Sequence, residues 1–216
     1  MAECMPYAIK SDHLSALALA GMAFAGGSLA FAPDARLQTC GAAAGLAINW
    51  FGDSLDGTLA RVRGAERPRY GFYVDHVIDL AGAAMLQAGL ACSGLMHPLV
   101  GMTLLASFYL VMAETFLATH ASAVFRLSFL RIGPTELRIG LIIGLLRSAH
   151  SPLATFGPQR LLLFDAAGAI GAAGLAAAFV WSSVRNASEL AAIEPRAPVI
   201  RRRTSRASSP VRAPAD

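Results

Sequence analysis

The chain has 216 residues, of which 55% are hydrophobic and only 15% charged, with a mean hydropathy of +0.52. Soluble domains carry about 25% charged residues, so the composition argues for a polytopic membrane protein and excludes whole-chain disorder, collagen-like repeats and a disulfide-rich secreted scaffold. Lys and Arg number 18 against 14 Asp and Glu, and six of the arginines fall in residues 196–216; the net charge of +4 therefore reports membrane orientation and anionic-lipid contact, not nucleic-acid binding.

Six hydrophobic segments are predicted, each about the length needed to cross a bilayer. The first spans 13–32 and stops at Pro33-Asp34; the second spans 37–61, with a polar last third. An arginine-rich loop, 62–70, leads to a third segment at 71–95, which breaks at His97-Pro98, and a fourth at 99–120. A semi-polar connection with Arg126 and Arg131 reaches Gly133-Pro134, where proline suits a helix start. The fifth segment spans 135–149, residues 151–159 read as loop, and the sixth spans 161–184. The expected fold is all-α: a bundle of six transmembrane helices over 13–185, a cytoplasmic or interfacial segment 1–12, and a disordered Arg/Pro/Ser-rich tail 186–216. No cleavable signal peptide is expected, because the first apolar run lacks a basic leader and a cleavage site.

The arginines set the orientation. With the N-terminus inside, Lys10, Arg61, Arg63, Arg67, Arg69, Arg126, Arg131 and the tail are cytoplasmic, and only Arg36, Arg147 and Arg160 lie opposite. Both termini are then inside. Cys4, Cys40 and Cys92 form no metal or redox motif and read as small apolar residues. Gly82, Ala83, Ala84, Ala88 and Gly89 in the third segment, and Gly168, Gly171 and Gly174 in the sixth, let helix backbones approach closely. They suit packing within the bundle first and a homodimer interface second.

Charged side chains within an apolar span are costly and mark function by default. Asp53, Asp56, Gly57, Ala60 and Arg61 fall at i, i+3, i+4, i+7 and i+8, on one helix face; Gly71, Asp75 and Asp79 share one face of the next. The nine residues between Arg61 and Gly71 can turn the chain so that the faces oppose, bringing four carboxylates together near the cytoplasmic end of two adjacent spans. Four like charges need a positive partner. Hard oxygen ligands point to Mg²⁺, with Mn²⁺ or Ca²⁺ as substitutes, and four carboxylates suit two ions roughly 3.5–4 Å apart that clamp a phosphoryl group. Gly57 and Ala60 leave room for a ligand at the backbone, and Arg61 is placed to neutralise phosphate. A structural or ion-conducting cluster, as in a cation transporter or channel, is the competing reading.

The run Asp53-Ser-Leu-Asp56-Gly57-Thr-Leu-Ala60-Arg61, then nine residues, then Gly71-Phe-Tyr-Val-Asp75-His-Val-Ile-Asp79 resembles the signature of the CDP-alcohol phosphotransferases. That signature is D-x-x-D-G-x-x-A-R, eight or nine residues, then G-x-x-x-D-x-x-x-D. All eight fixed positions match in identity and spacing over 27 residues, and a six-span reading extends the likeness to about residues 10–185. The resemblance implies attack of an acceptor hydroxyl on the β-phosphorus of a CDP-alcohol, with release of CMP. It implies that Asp53, Asp56, Asp75 and Asp79 hold two Mg²⁺ ions (or Mn²⁺), that Asp79 also serves as general base, and that Gly57, Ala60 and Arg61 line the CDP site. In one branch of the family the donor is CDP-diacylglycerol and the acceptor a small soluble alcohol; in the other, CDP-choline or CDP-ethanolamine serves a lipid alcohol. Asp75-His76 and Gly133-Pro134-Thr135-Glu136 look more like the second. The short Ala/Arg-rich chain looks more like a bacterial member of the first, which makes phospholipid synthesis at the cytoplasmic face of an inner membrane the expectation.

Other positions carry weaker expectations. Asp12-His13-Leu14-Ser15 stands where the family often has an Asn-x-x-Thr-like element, and Asp12 reads as a helix N-cap. Arg63, Arg67 and Arg69 suit phosphate contact or positive-inside anchoring, with Arg67 foremost because it lies midway between the two acidic helices. Glu136 and Arg138 are candidate acceptor contacts or helix-start residues, and Glu114 lies at the same depth. His76 points away from the acidic face, Asp165 reads as structural, and the Asn186-Ala-Ser188 sequon has no role on a cytoplasmic segment.

Overall fold

A computed structural model describes residues 2–122, 134–156 and 159–194. Arg126, Arg131, Gly133 and residues 195–216, for which a connection and a tail were expected, lie outside the described residues. The elements are α1 (Ser11–Phe31), α2 (Ala35–Val62), α3 (Pro68–Cys92), α4 (Pro98–Ser122), α5 (Pro134–His150), β1 (Leu153–Phe156), β2 (Gln159–Leu162) and α6 (Leu163–Ile193), preceded by a 3₁₀ turn at Ala2–Cys4.

Each of the six apolar segments forms a helix, and its ends have local causes. The Asp34 side chain caps α2 by accepting from the Leu37 amide at 2.8 Å. Gly64 and Gly94, at φ of 59° and 75°, follow the ends of α2 and α3, where a side chain would resist the left-handed turn. Proline opens α3, α4 and α5, where its missing amide has no helical partner to lose. Three helices are long and apolar enough to cross a membrane: α1, α4 over Pro98–Ala121, and α6. The four aspartates lie on α2 and α3, and Glu136, Arg138 and Arg147 on α5.

Three expectations are corrected. Within residues 151–159, read as loop, β1 and Gln159 of β2 enter an antiparallel pairing in which Leu153 pairs with Leu162 and Phe156 with Gln159, so the described fold is not purely helical. Helix α6 starts at Leu163, because Leu161 and Leu162 belong to β2, and continues to Ile193 into the expected tail. There Arg185 and Glu189 form an i,i+4 pair at 2.9 Å that supports the helix. Finally, Asp12 lies inside α1, which begins at Ser11 after a cap at Lys10.

The helices form a ring of pairwise contacts. Helix α1 packs on both α2 and α3; α3 continues to α4, α4 to α6, α2 to α5, and α5 touches α6. Thus α2 and α3 are not a tightly packed pair, as their adjacency in sequence suggested. Helix α1 is wedged between them. Glycines make the wedge possible: a Cβ on Gly45 would lie 2.6 Å from the Ala25 nitrogen, one on Gly21 2.6 Å from the Asn49 nitrogen, and one on Gly89 would overlap the Gly26 backbone. Such close backbone contact brings many atom pairs to van der Waals distance, which holds the helices together. Gly168 and Gly171 similarly admit Val100 and Leu104 of α4, whereas Gly174 faces open space.

Leu29, Ala42, Leu90, Met96, Leu145 and Phe164 form a core at the end of the bundle opposite the aspartates. There Asp165 accepts from the His97 amide at 2.6 Å and ties the α3–α4 connection to α6, a structural role as expected. Lower in the α4–α6 seam, buried Glu114 accepts from Ser182 Oγ at 2.8 Å and Asn186 Nδ2 at 2.7 Å. Large apolar side chains cover the outer surface of every helix, among them Phe24, Trp50, Met85, Leu110, Ile143 and Val180.

Substituting Gly89→Leu should drive α1 from α3 and destabilise the protein by at least about 2 kcal/mol, the scale of overpacking. Gly174→Leu should leave stability within about 0.5 kcal/mol. Unfolding in detergent, followed by circular dichroism, separates the two.

Candidate active site

At the end of the bundle where α2 turns back into α3, the wedge of α1 holds the two helices apart and leaves a cavity of about 470 Å³. That volume lies within the roughly 300–1,000 Å³ of small-molecule sites. Ser11, Asp12 and Ser15 of α1, Asp53, Asp56, Gly57, Ala60 and Arg61 of α2, Arg67 of the connection, and Tyr70, Gly71, Asp75 and His76 of α3 are among its lining residues. Seven of the positions singled out in the sequence therefore share one wall system: Asp53, Asp56, Asp75, Gly57, Ala60, Arg61 and Arg67. Asp79, Glu136 and Arg138 do not line the cavity.

The four carboxylates are nonetheless neighbours. Asp53 interacts electrostatically with Asp56, Asp75 and Asp79, and Asp75 with Asp56 and Asp79. Asp79 lies one helical turn beyond Asp75, away from the mouth, where it also feels the Arg138 charge. Each carboxylate on α2 has a definite partner. Arg138, reaching across from α5, donates Nη2 to Asp53 Oδ2 at 2.7 Å, in a pair whose side chains are 15% and 26% exposed. Asp56 accepts Ser15 Oγ on Oδ2 at 2.7 Å and the Gly57 amide on Oδ1 at 2.5 Å. On α3, Asp75 Oδ2 lies 3.7 Å from His76 Nδ1, whose closer acceptor is the Phe72 carbonyl at 2.7 Å. The His76 ring stacks on Phe72 and meets Phe116 edge-on, which places it beside the acids as a packing residue.

The sequence asked for a positive partner among the acids, and Arg138 is one on the protein itself. Its choice of Asp53 was not legible, because 85 residues separate the two. Glu136 lies in the first turn of α5. Among the described residues no three His, Cys, Asp or Glu side chains are gathered tightly enough to hold a metal ion. The side-chain directions explain this: Asp53 turns to Arg138 and Asp56 to Ser15. The donor set still fits a hard divalent cation, since Asp53, Asp56 and Asp75 reach the cavity with carboxylate oxygens and no thiol lines it.

The basic connection divides its labour. Arg63 is taken up by the N-terminal segment, donating to the carbonyls of Met5, Pro6 and Ile9 while its guanidinium lies 5.2 Å from the Tyr7 ring. This holds Ala2 against Leu14 and Leu59. Arg67 pairs with Asp12 at the mouth and lies over Tyr70, 3.9 Å from the ring centre. Arg61 is exposed along the cavity wall, with Nη2 3.3 Å from Thr58 Oγ1. Of the arginines foreseen for phosphate, Arg61 and Arg67 remain accessible at the cavity, and Arg63 is structural. Sequence reasoning passed over Ser11 and met Ser15 only as the end of the stretch that departs from the family's Asn-x-x-Thr-like element; their spacing of four, on the face of α1 turned to α2, was the available signal for a joint role.

Comparison with protein-family models, curated proteins and solved structures yields no match to this chain.

The Asp53–Arg138 pair gives a test of this geometry. Arg138→Gln should strand the Asp53 charge and lower stability by about 2 kcal/mol, while Asp53→Asn added to it should restore most of the loss. A double-mutant cycle of unfolding free energies in detergent measures the coupling; additivity would show that the two side chains do not pair.

Proposed function

We propose that this chain is a divalent-cation-dependent CDP-alcohol phosphotransferase of a membrane. It transfers a phosphatidyl group from CDP-diacylglycerol to the hydroxyl of a small alcohol, in phospholipid synthesis. The observation that carries the reading is the opening of a nucleotide-sized cavity beside the acidic signature, with Asp53, Asp56, Asp75, Gly57, Ala60 and Arg61 on its walls. The apolar outer surfaces of all six helices support six spans, with α2, α3 and α5 turning their charges toward the bundle end. The arginine distribution supports both termini, and the cavity, on the cytoplasmic side of a bacterial inner membrane.

In the reaction the acceptor oxygen attacks the β-phosphorus, the bond from that phosphorus to the bridging oxygen of CMP breaks, and CMP leaves with the negative charge. Asp53, Asp56, Asp75 and Asp79 would hold two Mg²⁺ ions, which when bound supply charge neutralisation on the phosphates. Arg61 and Arg67 meet phosphate oxygens from the mouth side. Gly57 and Ala60 let the nucleotide approach α2 without a side chain between. Asp79, beyond Asp75 and nearer the hydrophobic interior, accepts the proton of the attacking hydroxyl. Phosphoryl transfer depends mainly on alignment and charge, which the rigid α1–α2 contact provides.

Purified protein given CDP-diacylglycerol, Mg²⁺ and candidate alcohols should release CMP, and chelation should abolish the release. Asp79→Asn should lower kcat by at least about 100-fold, the contribution of a general base. CDP with Mg²⁺ should raise the unfolding temperature of the wild type. CDP-choline or CDP-ethanolamine with diacylglycerol, run in parallel, decides between the branches. Absence of CMP with every donor, together with no protection by CDP, would overturn the reading; aspartate-dependent cation flux in vesicles would replace it with a transporter.

A further inference from the structure

Two serines one turn apart on α1 hold Asp56 from two directions. Ser11 Oγ donates to the Asp56 main-chain carbonyl at 3.0 Å, and Ser15 Oγ to its side-chain Oδ2 at 2.7 Å. Ser15 has a single hydroxyl proton and two acceptors within reach, since the Ser11 carbonyl lies 3.3 Å away. A serine inside a helix ordinarily bonds that i−4 carbonyl. Here the shorter, charge-assisted contact to the carboxylate prevails, at the length expected for a hydroxyl on a charged oxygen. Ser15 is only 8% exposed, so water competes weakly for the bond.

The consequence is an asymmetry among the four acids. The Gly57 amide fixes Asp56 Oδ1 and Ser15 fixes Oδ2, while each carboxylate oxygen keeps a second lone pair for another partner. The opposing Asp75 on α3 has the His76 ring nitrogen 3.7 Å away, beyond hydrogen-bond length. We infer that Ser15 is a positioning residue, holding Asp56 in the orientation from which it binds a divalent cation at the cavity. The inference rests on the functional reading of the carboxylates given above, and it adds a residue from a helix that carries none of the acidic signature. In this role the serine acts on the ion through Asp56 and not by ligation. It acts by sparing Asp56 the ordering that ligation would otherwise require, as hydrogen-bond partners of metal ligands do.

Mn²⁺ alone is the probe, its binding to full-length protein in detergent read by electron paramagnetic resonance. Ser15→Ala should weaken Mn²⁺ binding about 10- to 100-fold, the usual effect of removing such a partner. Ser15→Thr, which keeps the hydroxyl, should stay within about threefold of wild type. Ser15→Cys keeps the shape but donates poorly; it should resemble the alanine variant, and it serves where the alanine variant fails to fold. In the CMP assay the loss should appear as a higher Mg²⁺ requirement, with the rate at saturating Mg²⁺ largely retained. If wild type binds Mn²⁺ and the alanine or cysteine variant binds it equally well, Ser15 has no positioning role and the carboxylate reading survives. If wild type itself binds no Mn²⁺, the carboxylate reading falls and this inference falls with it.

Discussion

Helix α1 carries none of the four aspartates, yet it lies in backbone contact with both helices that do. Gly21 and Gly45 bring it against α2, and Gly26 and Gly89 bring it against α3. A pair of helices joined by a five-residue connection, 63–67, would by default pack on each other along their length. With α1 between them they diverge, and the polar faces of α2 and α3 meet across a space instead of closing on one another. The cavity is the remainder of that geometry. Small residues thus act twice: they let the helix backbones touch, and they set the width of the opening.

Electrostatics then decides which side chains stay available. Four carboxylates at the end of an apolar bundle repel one another, and the protein answers with unequal partners. Arg138 neutralises Asp53 with a full charge, and Ser15 with the Gly57 amide gives Asp56 neutral donors. Asp79 feels Arg138 only at a distance. The basic connection follows the same division. Arg63 bonds three carbonyls and fixes the N-terminal segment, whereas Arg67 pairs with the exposed Asp12 and lies over Tyr70 at the mouth of the cavity.

Helix positions were legible because apolar runs of bilayer length, bounded by proline and glycine, leave the chain few alternatives. The aspartate faces were legible because 3.6-residue periodicity fixes which residues share a side. Periodicity does not say what lies opposite. The α1 wedge, the reach of Arg138 to Asp53 and the donation from Ser15 to Asp56 are all tertiary facts, separated by 85 and 41 residues in the two side-chain pairs. The paired strands β1 and β2 were hidden by their shortness, since four-residue strands of mixed apolar and polar residues carry no clear period. The extension of α6 was hidden by composition: Arg185 to Ile193 is polar enough to read as tail, but its own ion pair and the Asn186 bond to Glu114 keep it helical.

Glu114 shows why the cavity end differs from the α4–α6 seam. Both contain carboxylates, and both use a serine as donor. At Glu114 the two donors are neutral, no cation is among its hydrogen-bond partners within the described residues, and the side chain is closed off between helices at 9% exposure. At Asp56 the same kind of hydroxyl contact sits beside a cavity and three further acids. A closed, hydrogen-bonded acid joins two helices and fixes their register; an acid held by similar bonds but open on one side retains unused lone pairs facing the cavity. The difference lies in access, which the α1 wedge creates on one side of the ring and the Gly168–Gly171 contact with α4 removes on the other.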